Sequence, residues 1–581
     1  AGKVKRQTPI LVILGNPPYS GHSSNMGQWI RGLIDDYRKV DGEPLREKTP
    51  KWLQDDYVKF LRFAQWKIDQ AGRGVMGMIT NHGYLDNPTF RGMRQSLMQT
   101  FDSIHVLDLH GNALKREVCP DGSKDENVFD IRQGVAIAFF IKRGGAKKKA
   151  AVVRHAELWG TQQSKYHWLS RHDRKHTRWA KLEPASPSYF FVPRQHKGAQ
   201  QYQAFVPVNV IFPVNVTGVM TARDALSIDF LENPLIQKIR PLQDSNLSDA
   251  YIRTYLATLL SRKPSAVENY SWRITKAREA LRGMGNLRKY VVPILYRPFD
   301  VRKILYHDSV VLRARKEVMR NMLAGENLAL IAPKRVEHVG PWQHAFATNL
   351  ISDHVAVSLK TVDYHFPLYL YPDGRVDLFT HREKSERQAN INPKLLAELK
   401  RAYGRQPAPE DIFHYVYAIL YAPAYREKYA VFLHTDFPRI PFAADAALFA
   451  EIAALGKRLT DLHLLRAHEL DSPICRFEGD GDGRVGKGER EGLHYDADDK
   501  RVHINPGQAF APVPPDVWEY RVGGYQVCEK WLKARRERRL DLDDIRTYCR
   551  IVTALKLTID VQREIDALYS EAEDSEAKMM G

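Results

Sequence analysis

The sequence predicts an α/β protein built from more than one domain. Two observations carry this expectation. Short apolar strands alternate with amphipathic helices across residues 9–142, the pattern of a sheet covered on both faces. The chain has 581 residues, which implies two to four domains at roughly 100–200 residues each. Hydrophobic residues make up 44% and charged residues 27%, which excludes wholesale disorder.

Residues 9–15 (PILVILG) read as a short buried strand ending at a turn. Over residues 54–71, Tyr57, Phe60, Leu61, Phe63, Ala64 and Ile68 recur at three- and four-residue spacing, an amphipathic helix. Residues 74–80 (GVMGMIT) form a second buried strand, 90–101 a helix and 103–109 (SIHVLDL) a third strand. Residues 127–131 and 134–142 suggest a closing strand or hairpin, and GGAKKKA at 144–150 a linker. From 151 to about 340 the pattern is less regular, rich in Arg, Pro and aromatic residues. The stretch 409–433 reads as helical within a segment of short strands. The Gly-rich piece 478–490 places Arg484 and Val485 where a calcium loop needs a ligand and a glycine, so calcium binding is rejected. Residues 515–581 read as largely helical, with Trp518, Tyr525, Val527, Trp531 and Leu532 making apolar contacts.

The composition narrows the function. No run of about 18 apolar residues occurs, so no membrane-spanning helix is expected. The first residues run straight into NPPY without a signal-peptide cleavage pattern. Four cysteines, Cys119, Cys475, Cys528 and Cys549, match neither a disulfide scaffold nor a zinc pattern, and a reducing intracellular setting follows. The net charge of +18 is uneven. Residues 1–150 carry 24 basic and 16 acidic side chains, residues 151–340 carry 30 and 15, and the remainder 33 and 38. A central segment with twice as many bases as acids points to a polyanion, with nucleic acid the leading candidate.

The chemistry is concentrated in Asn16-Pro17-Pro18-Tyr19, directly after the first strand. Open α/β sheets place ligands at the carboxyl ends of their strands. The Asn16 side-chain oxygen and the Pro17 carbonyl can each accept one N–H of a planar exocyclic amine. Two acceptors on one amino group draw its lone pair out of ring conjugation and make the nitrogen nucleophilic without a dedicated base. The prolines fix φ and hold the acceptors in place. Tyr19 offers a face for a base to stack on.

NPPY in this setting resembles motif IV of the S-adenosylmethionine-dependent amino-methyltransferases. The segments 55–68, 74–112 and 126–143 are similar, block by block, to the methyltransferase part of Type ISP restriction–modification enzymes, in the gamma-class adenine-N6 branch. LYRPFDVRKILYH (295–307) and GGYQVCEKWLKAR (523–535) resemble blocks of that family's recognition and C-terminal regions. The resemblance implies a partial Rossmann-like methyltransferase domain over 1–145, a mixed α/β target-recognition domain over 146–440 and a mostly helical specificity region over 441–581. It implies that Asn16, Pro17 and Tyr19 hold the adenine N6 while Pro18 shapes the turn. It matches Phe129, in VFDIRQGVAI, to an aromatic that packs against a flipped base. Asn81, His82, Arg91 and Arg94 lie in a family block without an evident mechanism. The partners implied are double-stranded DNA, with no membrane, in a prokaryotic cytoplasm. No metal is needed for the transfer.

Base choice needs Arg, Lys, Asn and Gln at base edges. The interleaved runs RHDRKHTRWAK (171–181) and SWRITKAREALR (271–282) fit phosphate contacts first. Arg171, Arg174, Lys175, Arg273, Arg297 and Arg302 are the candidates for DNA contact, although an Arg–Asp pair within YRPFD equally suits a structural salt bridge.

The class also needs a Gly-rich loop and an acidic residue for the methyl donor. Gly283-Met284-Gly285-Asn286 lies among charged residues with no preceding buried strand, Gly479–Gly483 is an acidic loop, and no GxxxxGK[ST] ATPase loop occurs. The chain is therefore expected to be the C-terminal part of a larger enzyme. The cofactor-binding half, and possible nuclease and ATPase domains, are expected upstream or on a partner subunit, and little methyl transfer is expected from this chain alone. A sequence-specific DNA-binding module without catalysis of its own is the alternative. Methylation of a protein glutamine is a third option, disfavoured by the basic central region.

Overall fold

The computed structural model describes residues 9–19, 23–45, 51–113, 117–145, 151–186, 188–193, 198–268, 272–336, 340–372, 387–488 and 492–574. These fall into two compact units, residues 1–197 and 198–581.

The first unit is built on a six-stranded sheet. Its elements are β1 (Val12–Gly15), α1 (Gln28–Ile34), α2 (Asp56–Ala71), β2 (Gly74–Asn81), α3 (Arg91–Thr100), β3 (Ser103–Asp108), β4 (Val135–Lys142), β5 (Val152–Glu157), α4 (Gln162–Arg171) and β6 (Ala180–Leu182). The strand order is β1-β2-β4-β3-β5-β6. β1 runs parallel to β2, and β3 parallel to β5. β4 is antiparallel between β2 and β3, so the sheet is mixed. The helix expected over 54–71 forms as α2. It buries Tyr57, Leu61, Ala64 and Ile68 as one stripe and ends at Gly72, whose φ of 73° suits glycine. Helix α3 and strands β2, β3 and β4 fall where the periodicity places them. Residues 127–131 form bends rather than a strand.

Two expectations change. Residues 12–15 do form a strand, but it is not buried. Val12 is 62% and Leu14 76% exposed, because the face of edge strand β1 that they share is uncovered, while Ile13 on the other face packs on the core. The compact unit also does not end near 145. β5 pairs with β3 along its whole length, which carries the sheet past the GGAKKKA run, whose residues 146–150 lie outside the described residues.

The second unit contains three four-stranded sheets among its described residues. The strands of these three sheets are β7 (Val216–Thr217), β8 (Ile228–Asp229), β9 (Val291–Arg297), β10 (Asp300–Leu305), β11 (Ala329–Pro333), β12 (Phe346–Thr348), β13 (Ile351–Ser352), β14 (Asp363–Pro367), β15 (Arg476–Glu478), β16 (His494–Asp496), β17 (Arg501–Asn505) and β18 (Gln508–Ala511). The sheet orders are β7-β14-β11-β12, β8-β10-β9-β13 and β15-β18-β17-β16. The helices used below are α5 (Pro409–Tyr421), α6 (Ala446–His463) and α7 (Leu542–Asp574). Every residue of α5 from Ile412 to Tyr421 is buried. His463 of α6 ties α5 to α7 through the Tyr417 hydroxyl at 2.6 Å and the Thr558 hydroxyl at 3.0 Å. One apolar core runs from Tyr202 to Ala572, so no compact boundary falls at residue 440. Among the described residues, no helix is long and apolar enough to cross a membrane.

Candidate active site and recognition surface

The carboxyl ends of the parallel strands β1, β2 and β3 share one edge of the first sheet, and the NPPY residues follow β1 at that edge. Pro17 is buried, Asn16 and Pro18 are exposed, and Tyr19 is half-buried. The Tyr19 hydroxyl donates to Asn16 Oδ1 at 3.0 Å. Its ring meets Tyr57 edge-on, with centroids 6.4 Å apart. Burial pushes the Tyr19 pKa up to about 12, so it remains a neutral donor at physiological pH. Tyr19 also packs on a small apolar cluster of Leu107, Leu109, Val128 and Val135. Phe129 packs on the same cluster and is half-buried. Two aromatic residues 110 positions apart thus border one patch at the sheet edge.

The loop that carries Phe129 is anchored by residues that the sequence did not single out. Lys165 of α4 has a fully buried side chain. It pairs with Asp125 at 2.7 Å and donates to the Leu109 carbonyl at 2.7 Å and the Glu126 carbonyl at 2.6 Å. Asp125 accepts from the Gly111 and Gly160 amides. The Asn127 side chain donates to the Gly111 and Gln133 carbonyls and accepts from the Phe129 amide at 2.9 Å. The Tyr166 hydroxyl and the Gln162 side-chain Nε2 both donate to the Val128 carbonyl. Gly111 is required here, because a Cβ would lie 2.4 Å from the Asn127 Cα. A buried ammonium with three oxygen acceptors is a stable arrangement. No sequence signal marks it, since an isolated Lys in QQSKYHW reads as a surface residue.

His82 follows β2 and is 5% exposed. Its Nδ1 lies 3.0 Å from Asp108 Oδ1, and its Nε2 lies 3.1 Å from Asn112 Nδ2. A Cβ at Gly134 would strike its ring at 2.3 Å. His110 stacks on Trp159 with centroids 3.3 Å apart. Burial alone would raise the Asp108 pKa, but His82, His110 and their hydrogen bonds bring it down to about 2. Burial pushes the His110 pKa down to about 4, against the pull of Asp108. Asp108 is therefore ionised and His110 neutral near pH 7. Arg94 is fully buried and donates to the Tyr84, Asn87 and Ser188 carbonyls, a packing role.

The candidate basic residues divide sharply. Arg171, Arg174, Lys175 and Arg273 are exposed. Arg297 is not. It is 4% exposed, pairs with Asp353 at 3.1 Å and lies over the Tyr296 ring at 3.8 Å. Burial opposes its charge, yet Asp353 and neighbouring groups hold its pKa above the usual arginine range. Arg302 bonds the Asp300 carboxylate through Nε at 3.0 Å and Nη2 at 2.7 Å, and Arg535 reaches the other oxygen at 3.3 Å. Arg297 is thus held inside an ion-pair lattice rather than at the surface, whereas Arg302 stays partly exposed and lines a cavity with Asp224, Phe230 and Arg538.

The profile of the Type ISP C-terminal specificity domain matches residues 210–564. The chain belongs to the Type ISP C-terminal specificity domain family. No curated protein matches it. Solved structures do. The ATP-dependent Type ISP restriction-modification enzyme LlaBIII bound to DNA superposes with a TM-score of 0.71 at 20% identity, over 97% of this chain and 38% of that one. The DrdV–DNA complex gives 0.67 at 22% identity, over 97% and 57%. A nuclease-deletion mutant of the Type ISP enzyme LlaGI, in complex with a DNA substrate mimic, gives 0.67 at 20% identity, over 97% and 45%. The chain thus spans between about two fifths and three fifths of these structures' chains, and at these identities they establish the fold.

The specificity-domain match lies wholly within the second compact unit. The YRPFD lattice belongs to that Type ISP domain, whereas the NPPY edge and the Phe129 loop lie in the first unit, outside the match. The Type ISP fold likeness extends over both units, as the 97% coverage requires.

Proposed function

We propose that the chain is the target-recognition part of a Type ISP-like restriction–modification enzyme, joined to the NPPY-bearing part of its adenine-N6 DNA methyltransferase domain. The observation that carries this reading is the convergence of Asn16-Pro17-Pro18-Tyr19 and Phe129 at one sheet edge. In this reading duplex DNA is the substrate and the target adenine is flipped out of the stack to reach that edge. Asn16 Oδ1 and the Pro17 carbonyl accept the two N6 hydrogens. The nitrogen lone pair, drawn out of ring conjugation, would then be the nucleophile toward a sulfonium methyl group held outside these residues, N–CH3 forming as S–CH3 breaks and one N6 proton passing to solvent. Tyr19 and Phe129 supply apolar surface for the extruded base. The exposed basic residues Arg171, Arg174, Lys175 and Arg273 suit phosphate contacts.

The residues present do not by themselves fit S-adenosylmethionine. Among the described residues, Gly283–Gly285 lie between a helix and a 3-10 turn rather than after a strand. Gly479–Gly483 follow the short strand β15 in a polar loop that is exposed up to Asp482 and carries two acidic side chains. The methyl donor is therefore assigned to a cofactor-binding half that completes the domain. The exposed apolar side chains of β1 (Val12 and Leu14), with Trp29 on α1 and Phe60 and Phe63 on α2, support such a covering partner. Nuclease and ATPase domains would be further parts of the assembled enzyme.

A second reading, a DNA-binding module without catalysis of its own, is favoured by that lack of a cofactor loop. One experiment separates them. Methyl transfer from labelled S-adenosylmethionine to duplex DNA is measured for the chain alone and for the chain joined to a Type ISP cofactor-binding half. Transfer that appears on joining and vanishes with Asn16→Ala supports the methyltransferase reading. Salt-sensitive, sequence-selective DNA binding without transfer in either form supports the second.

A further inference from the structure

We propose that His82, Asp108 and His110, assisted by Glu117, form a site for one divalent transition-metal ion. The site is independent of the methyltransferase reading. One ligand atom from each of His82, Asp108 and His110 lies within 4.8 Å of the others, and all three residues are buried. His82 Nδ1 is 3.0 Å from Asp108 Oδ1. His110 Nδ1 is 3.9 Å from Asp108 Oδ2 and 3.9 Å from Glu117 Oε2. An ion bound at about 2.0–2.2 Å by imidazole and carboxylate ligands sets neighbouring donors roughly 3–4 Å apart. The His82–Asp108, His110–Asp108 and His110–Glu117 pairs already have that spacing, and the three buried residues offer ligand atoms all within 4.8 Å of one another.

Hydrogen bonding does not account for His110. The residue is 7% exposed, and its Nε2 makes no hydrogen bond, with Glu157 Oε1 the nearby carboxylate at 3.8 Å, which leaves Nδ1 as the ligating atom. Its Nδ1 faces two carboxylates at a distance too long for a hydrogen bond. The backbone is bent to bring the ring there. His110 has a φ of 51° and Gly111 a φ of 78°. A non-glycine residue in that left-handed region is held at a cost, and such residues cluster at ligand sites. The Asp108 carboxylate accepts the His110 amide at 3.0 Å, and Trp159 stacks on the ring, so the imidazole orientation is fixed from two sides.

The surrounding shell suits a bound ion. Asn112 lies 3.1 Å from His82 Nε2. Rotating its amide by half a turn presents an oxygen to an Nε2–H, the partner a histidine needs when its Nδ1 ligates. Two imidazoles with carboxylates select zinc, manganese or iron(II) over calcium and magnesium. The ion would join the ends of β2 and β3 to the loop that carries Phe129, which makes it a clamp rather than a reactant.

The test must remove an adventitious competitor. His494 and His503 stack 4.6 Å apart on adjacent strands β16 and β17, both at least partly exposed. In a parent chain carrying H494A and H503A, stripped with chelator, we expect uptake of one equivalent of Zn2+ or Co2+ and a rise in Tm on zinc addition. His110→Ala and Asp108→Asn in that parent should each lose the bound equivalent and the rise in Tm. No uptake by the parent, or a full equivalent retained by His110→Ala, overturns the site. Should either variant fail to fold by circular dichroism, the parent's Co2+ complex is read directly by NMR. Two paramagnetically shifted imidazole N–H signals support the assignment; one or none overturns it.

Discussion

The Tyr19 hydroxyl donates to the Asn16 side-chain oxygen at 3.0 Å, so the acceptor proposed for the target amine is already engaged. An incoming amino group has to take over that oxygen, while the Tyr19 ring stays seated against Tyr57 and the apolar cluster. The hydroxyl and the ring therefore have separable roles. In the enzyme assembled with its cofactor-binding half, Tyr19→Phe should keep methyl transfer within about tenfold, since a net hydrogen bond contributes only about 1 kcal/mol. Tyr19→Ala should lose more, as base–aromatic stacking contributes about 1–3 kcal/mol. Steady-state transfer rates on duplex DNA decide it. Equal damage from both changes would assign the effect to the hydroxyl and contradict a stacking role.

A second expectation concerns Arg297. With 4% of its surface exposed and Asp353 at 3.1 Å, it belongs to the interior of the specificity domain. Arg297→Ala leaves the Asp353 carboxylate buried without its cation, which costs about 3–5 kcal/mol in comparable pairs. Denaturant unfolding should show that loss. The folded fraction should keep the wild-type salt dependence of DNA binding. A change in that salt slope with no loss of stability would place Arg297 at the DNA instead.

The exposed run behaves oppositely. Arg171, Arg174 and Lys175 are exposed and surround no core. Alanine at each should change stability by no more than about 0.5 kcal/mol. Each residue that neutralises a phosphate should lower the slope of log K against log salt by about 0.9 when removed. Binding isotherms at several salt concentrations measure this. An unchanged slope for the triple variant would exclude the run from the interface.

Much of the first unit is legible in the sequence, because its helices and inner strands obey simple periods. Of the six apolar positions that the spacing marks over 54–71, Tyr57, Leu61, Ala64 and Ile68 form the buried stripe, while Phe60 and Phe63 are exposed. The short apolar run at residues 12–15 misleads, because an edge strand and a buried strand have the same composition; only pairing partners distinguish them. NPPY and Phe129 are recognisable as residue types, but their meeting on Leu107, Leu109, Val128 and Val135 depends on strand order, which no local pattern encodes. Lys165 is illegible for a related reason. Its burial follows from Asp125 and two carbonyls, all more than 35 positions away. In the second unit, YRPFD is visible as a block, but whether its arginines face solvent or Asp300 and Asp353 is settled only by packing.

The last expectation is a pH dependence of stability. His365 and His463 are buried, and burial pushes the pKa of each down to about 3. His365 lies 2.9 Å from the Ser352 hydroxyl, and His463 is held by Tyr417 and Thr558. The unfolded chain protonates both near pH 6.5, whereas the folded protein does not until about pH 3. Between those values the unfolded state binds more protons, so stability is full above pH 6.5 and falls as the pH drops. Each histidine contributes about 1.4 kcal/mol per pH unit to that fall. Asp363 acts in the other direction. Burial raises its pKa well above the carboxylate range, so acidification relieves a buried charge and offsets part of the loss. Denaturant unfolding at pH 7, 6, 5 and 4 should therefore show stability falling steadily below pH 6, the more so because burial also holds the pKa values of His110, His155 and His414 down to about 4. His365→Gln should remove about 1.4 kcal/mol per unit from that slope. A stability profile flat from pH 7 to pH 4 would mean that the two imidazoles are not buried in their neutral form.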